Sequence, residues 1–208
     1  MIHGRKSSIL LLHLAVLFFA TCGSTTEREQ NILNLYNARS DQKYADLLVD
    51  PARYTTSGVE YHRKYYRYLI GIAGDIVEKK GLAVEKGSLG FYYDKRSGDR
   101  NMLYLGLDID TGSAFEQPFD TVTVRLIRKD LKEVIQTINS CRTIFGEADI
   151  VGMVIGWVWT SRGAREHASV WIGKQDFIRY EDEKITFDEL LMRSTVTNTI
   201  GRVFRLPL

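Results

Sequence analysis

The chain has 208 residues, 44% apolar and 26% charged, which is the size and composition of one globular domain with room for a helical appendage. Only three prolines occur, and there is no low-complexity tract, like-charge block or internal repeat, which argues against long disorder and solenoid classes. The net charge of +2 lies in Arg5 and Lys6; without them 26 basic residues face 26 acidic ones, so there is no electrostatic reason to expect nucleic-acid binding.

Arg5 and Lys6 precede an apolar run from Ile9 to Ala20, interrupted only by His13. The run of about 12 residues is shorter than the roughly 20 that span a bilayer. It suits the apolar region of a signal peptide. No later segment is long and apolar enough to span a bilayer, so the folded part is expected wholly on the far side of the inner membrane. The run ends in Phe19-Ala20-Thr21-Cys22-Gly23-Ser24, which resembles the lipobox of bacterial lipoproteins. Phe19 and Thr21 stand where that family usually has Leu and a small residue. The resemblance implies that residues 1–21 are removed as a signal peptide and that Cys22 carries a diacylglycerol. Residues 22–26 then form a polar tether. The resemblance further implies a domain held on a bacterial membrane, in the periplasm or at the cell surface, where an envelope protein or a cell-wall component is the expected partner. The alternative is ordinary cleavage beside a chance cysteine, for which Ala20-Thr21-Cys22 is a poor site. Cys141 is the only internal thiol, so stability must come from a packed core.

Residues 27–50 carry Ile32, Leu33, Leu35, Tyr36, Tyr44, Leu47 and Leu48 at helical spacing, up to Pro51. A second helix is expected over 57–80, with Tyr61, Tyr65, Tyr68, Leu69, Ile72 and Ile76 in one stripe and Gly81 closing it. These two helices make an N-terminal segment, residues 27–81. Residues 82–208 read as strands and helices. Spans 88–94 and 102–108 flank a polar, glycine-containing turn and predict a hairpin. Val122, Val124 and Leu126 alternate with Thr121, Thr123 and Arg125, which predicts a strand over 119–127. Asp130 and Glu133 resemble a capping box opening a helix with the stripe Leu131, Val134, Ile135, Ile138 and Cys141. Residues 150–160 are apolar on both faces, as in a covered central strand. A partner strand follows over 168–173, then a short strand over 177–180. A capping box at Thr186 opens a short helix, and a final strand covers 194–206. The order predicts an α+β fold: a mainly antiparallel sheet of about six strands packed against helices, preceded by two N-terminal helices, with 27–208 one compact unit.

Asp110-Thr111-Gly112-Ser113, after apolar residues, resembles the catalytic loop of aspartic proteases, and Ile200-Gly201-Arg202 resembles a segment of the retroviral-type enzymes. The resemblance implies that Asp110 shares a proton with its copy in a homodimer and activates water. The family fold is almost all strand, whereas here a long helix is expected between the two strings. The other reading is a strand leaving the sheet through a turn, with Asp110 and Gly112 as turn residues. Asp108, Asp110 and Gly112 also follow calcium-loop spacing, but Phe119 stands where that loop needs Glu. His62, on a helix, and His167, in a loop, have no metal-ligand spacing, and no phosphate, dinucleotide, serine-hydrolase or zinc-protease motif occurs. No metal, no cofactor and no catalytic residue besides Asp110 is expected. Arg63, Lys64 and Arg67 lie in a basic, tyrosine-rich stretch. They would contact anionic headgroups or a cell-wall polymer, or form the solvated face of an amphipathic helix. Trp157, Trp159 and Trp171 would line a groove for an apolar ligand, or pack as core. The functional expectation is a membrane-anchored exported lipoprotein acting as a non-enzymatic binding or structural module. The alternatives are an aspartic-type hydrolase using Asp110 and a carrier of an apolar ligand.

Overall fold

A computed structural model describes residues 43–50, 56–95 and 97–205. The predicted leader, Cys22, the tether and most of the first predicted helix lie outside them. Within 43–50 a 3-10 turn spans Ala45–Leu47, and Leu48 makes a parallel bridge to Leu89.

The second predicted helix is α1, Thr56–Gly74, extended by a π-helical turn, Asp75–Lys79. Tyr65, Leu69, Ile72 and Ile76 are buried along one side, as their spacing requires. Gly81 closes the turn at φ +64°, where an L side chain would be strained. Strands β1 (Ala83–Val84) and β2 (Gly90–Tyr93) both pair antiparallel with the same edge of β3, Leu103–Ala114. The hairpin expected from the polar turn is β2–β3.

Residues 119–127 are not a strand. They open α2, Phe119–Asn139, directly after Pro118. Val122, Leu126, Ile127, Leu131, Val134 and Ile138 are buried at helical intervals. The short run Val122–Leu126 fits both the two-residue and the four-residue period, and tertiary packing selects the second. Thr123 and Thr137 fit because their hydroxyls donate to the carbonyls of Phe119 (2.8 Å) and Glu133 (3.0 Å), one turn back. Asp130 is no cap. It lies mid-helix, buried, and accepts a hydrogen bond from Trp157 Nε1 at 3.3 Å.

Because α2 is a helix, β3 and β4 (Ile150–Ser161) are joined by a crossover and pair in parallel. The remaining pairs are antiparallel: β4 with β5 (Ala164–Gly173), β5 with β6 (Thr195–Thr197), and β6 with β7 (Val203–Phe204). The result is a seven-stranded, mostly antiparallel sheet in a mixed α/β fold. Two further expectations change. Residues 177–180 lie in helix α3, Lys174–Glu181, and the final strand is a hairpin turning at Gly201, φ +76°. A short apolar run bounded by polar residues suits either element, and Phe177 is buried from a helix against Phe145, ring centroids 4.7 Å apart. The Thr186 capping box is present and opens α4, Phe187–Arg193.

The core lies between the four helices and one face of the sheet. That face carries Leu103, Leu105, Leu107 and Ile109 of β3, and Met153, Ile155, Trp157 and Trp159 of β4. Ala168, Val170 and Ile172 of β5 complete it, and Cys141 is buried within the same cluster. Each large side chain buried there contributes about 1.5–3 kcal/mol. Among the described residues no helix is long and apolar enough to cross a membrane.

Candidate functional site

Strand alternation puts a second set of residues on the opposite face: Gly106, Asp108 and Asp110 of β3, Gly152, Val154, Gly156 and Val158 of β4, and Arg165, His167 and Ser169 of β5. Val154 and Val158 are buried, yet they stand outside the cluster that the helices build. The register sets Asp108, Gly156, Ser169 and Thr197 in one row across four strands, and Asp110, Val158 and His167 in the next.

Asp108 and His167 lie on strands two spacings apart, about 9.5 Å at the backbone. Their side chains nevertheless meet over β4, with Oδ1 3.0 Å from Nε2. Gly156 makes this possible: a Cβ built there would overlap Asp108 Oδ1 and stand 2.5 Å from His167 Nε2. Both side chains are about a third exposed, at 30% and 33%. Both backbones are pinned. The Asp108 carbonyl accepts from Glu85 N at 2.8 Å and its N–H donates to the buried Ser88 hydroxyl at 3.0 Å. His167 N donates to Thr199 Oγ1 at 2.8 Å, and Thr199 Oγ1 donates to Glu166 Oε2 at 2.7 Å.

Ser169 Oγ is 3.2 Å from the same nitrogen, His167 Nε2. A serine relay needs the hydroxyl and the carboxylate on opposite ring nitrogens. With both on Nε2, this cluster is a polar clamp and not a nucleophile with its base.

Beside the clamp, at the carboxyl ends of the parallel strands β3 and β4, opens a groove of about 430 Å³ bordered by Glu85, Asp110, Val158, Trp159, Thr160 and Arg165. This end of a parallel strand pair is where open α/β sheets hold ligands. Arg165 donates to Glu85 Oε1 at 2.8 Å. That hydrogen bond, with the charges of Asp110 and Asp108, raises the guanidinium pKa further above its ordinary value.

Asp110 is exposed, and its Oδ1 accepts the N–H of Gly112 at 2.9 Å, with Gly112 at φ +58°. Ser113 N donates to Thr111 Oγ1 at 3.3 Å, and the β3–β4 register slips between Asp110 and Ala114. The Asp-Thr-Gly-Ser string is therefore a bulge whose Gly112 and Ser113 amides are satisfied by its own side chains. Among the described residues no carboxyl group is hydrogen-bonded to Asp110.

The basic trio divides. Lys64 Nζ lies 2.6 Å from Glu147 Oε1, an oxygen to which Tyr65 also donates, and Lys64 with Tyr65 holds that carboxyl below its usual range. Lys64 thus ties α1 to the loop before β4, while Arg63 and Arg67 stay on the solvent face. Trp157 and Trp159 are core, and Trp171 lies on the other side of the sheet, edge-on to Tyr104 at 5.1 Å. The three tryptophans line no common groove. His62 is buried in α1, which lowers its pKa. Among the described residues no three metal-type ligands come together.

His167 sits in β5 and not in a loop, because β5 begins at Ala164. The signal that points to the clamp is the pair Gly152 and Gly156, four residues apart in an otherwise apolar strand. Compared with known families, curated proteins and solved structures, the chain matches none.

Proposed function

We propose that the chain is an exported bacterial lipoprotein, held on a membrane through Cys22, whose domain is a non-enzymatic binding module for an envelope component. The recognition surface in this reading is the Asp108–His167 clamp with the groove beside it. The observation that carries it is the clamp itself: polar side chains a third exposed, fixed by their backbones and by each other, over a glycine that leaves them room. A surface ordered in advance avoids the cost of ordering side chains on binding. Glu85 and Arg165 are likewise paired at the groove. The anchoring half rests on the leader and on Cys22. Several acyl chains on one residue would hold the domain firmly, since each buried CH2 contributes about 0.8 kcal/mol.

Metabolic labelling with a radioactive fatty acid, followed by fractionation, tests the anchoring. The native chain takes up label and sediments with membranes, whereas the Cys22→Ala chain takes up none. A native chain that begins at Met1 and stays in the cytosol overturns the reading.

A further inference from the structure

The face of the sheet that carries the clamp also carries aromatic rings. Tyr104 on β3 and Trp171 on β5 are partly exposed there and set at 85° to one another, so they form a corner over β4. Tyr104 leans over Gly152, where a Cβ would stand 2.9 Å from its ring. Tyr92 is laid along β2 by the bond from its hydroxyl to the Ser88 carbonyl, and Gly106 gives it the same room, again at 2.9 Å. Trp171 is held by its own donor, Nε1 to Thr197 Oγ1 at 3.1 Å. The described helices pack on the opposite face. The clamp begins at Ser169, two residues or about 7 Å along β5 from Trp171. Its bond joins Asp108 Oδ1 to His167 Nε2, which leaves Asp108 Oδ2 and His167 Nδ1 without a hydrogen bond among the described residues, on side chains a third exposed.

The charges here are matched within the face, Asp108 with His167 and Glu85 with Arg165. Asp110, at the groove end, is the one of these residues left uncompensated, and its sign repels an anionic polymer. The complementary ligand is uncharged. Rings beside fixed polar atoms suit a molecule with a C–H side and a hydroxyl edge, which is the make-up of a pyranose. We propose that this face binds an uncharged oligosaccharide, with a sugar ring stacked in the Tyr104–Trp171 corner and its hydroxyls bonded to Asp108 Oδ2 and His167 Nδ1. The proposal rests on reading this face as the recognition surface and adds the class of ligand.

Tryptophan fluorescence of the full chain, titrated with maltotetraose, cellotetraose and chitotetraose, tests it. Trp157 and Trp159 are buried in the core, so a change on binding reports Trp171. A saturable change with a Kd of about 1 mM or tighter is expected for at least one of these sugars. The charged tetramer of galacturonate should bind at least about tenfold more weakly. Tyr104→Ala should weaken binding by a similar factor. His167→Gln, a change at a partly exposed residue, should do so with an unchanged circular dichroism spectrum. The absence of saturable binding by all the neutral tetramers overturns the proposal. If photo-cross-linking at Thr160 in the producing cell still gives a product, the face recognises something other than a sugar and only the ligand class falls; if it gives none, the recognition reading falls as well. Galacturonate binding as tightly as the neutral tetramers also overturns the proposal, and so does binding that His167→Gln leaves unchanged.

Discussion

The face of the sheet that meets the helices presents Leu105, Leu107, Met153, Ile155 and Trp157, none more than 1% exposed. The opposite face of the same strands presents Gly106, Asp108, Gly152, Gly156 and Ser169. On the first face geometry is set by side-chain volume, because facing residues fill the space between sheet and helices. On the second it is set by missing volume, because polar groups meet only where a glycine leaves a gap. A slip of one residue in β4 would exchange the two faces, so the core that fixes the register also fixes the clamp.

The largest expected effect lies on the first face. Trp157→Ala should cost about 3–5 kcal/mol, through the cavity and through the loss of the donor to buried Asp130, read as a fall in the urea midpoint. A cost under about 1 kcal/mol would break the distinction drawn between the faces.

The two glycine substitutions sharpen the comparison. A Cβ at Gly152 would overlap the backbone oxygen of Ile172, which cannot move without the strand, whereas one at Gly156 meets the side chains of Asp108 and His167, which can swing away. Overpacking costs about 1–3 kcal/mol, and Gly152→Ala should lie at or above the top of that range with Gly156→Ala near the bottom. Gly156→Ala should also part the clamp, visible as a shift of the His167 ring resonances. Unchanged resonances would contradict the role given to Gly156.

The tyrosines that tie α1 to the loop before β4 give a smaller, pH-dependent effect. Burial, and then the hydrogen bond to Asp149, raise the Tyr61 pKa from 10.0 to about 12. The folded state therefore favours the neutral phenol. This contribution is complete below pH 10.0 and is lost as pH rises through about 12. Tyr61→Phe should remove that part of the alkaline loss of stability. Glu147 has the opposite sign: its folded pKa is lowered, so its contribution is present above 4.5 and lost as pH falls. The smallest effect is expected for Asp110→Asn, whose oxygen can still accept from Gly112. Stability should change by less than about 0.5 kcal/mol, and casein cleavage should not differ from the native chain. Cleavage present in the native chain and absent in the variant would restore the protease reading.

The α1 stripe, the β2–β3 hairpin, the pairing of β4 with β5 and the Thr186 capping box are legible in the sequence because each signal is local. The β3–β4 parallel pair is not, because reading it depends on residues 119–127. Val122 and Leu126 there satisfy two periods, and Asp130, which looks like a helix start, is placed mid-helix by its bond to Trp157. With residues 119–127 taken for a strand and the helix begun only at Asp130, β3 is no longer seen as joined to β4 through one long helix, and a mainly antiparallel sheet is expected in place of the parallel β3–β4 pair. The clamp is illegible for a different reason. Asp108 and His167 are 59 residues apart, and only the registers of β3, β4 and β5 bring them over one glycine. The bulge at Asp110 was legible as turn chemistry, since Asx residues that bond their own backbone beside glycine form a local pattern.

The claim that recognition belongs to the second face is tested most directly by photo-cross-linking in the producing cell. A photoreactive residue is placed at exposed Thr160, in the groove beside the clamp, or at exposed Lys129, on α2 over the core. A discrete cross-linked product from position 160, fading with His167→Gln and absent from position 129, is the predicted result. Equal products from both positions, or a product from position 129 alone, would contradict it.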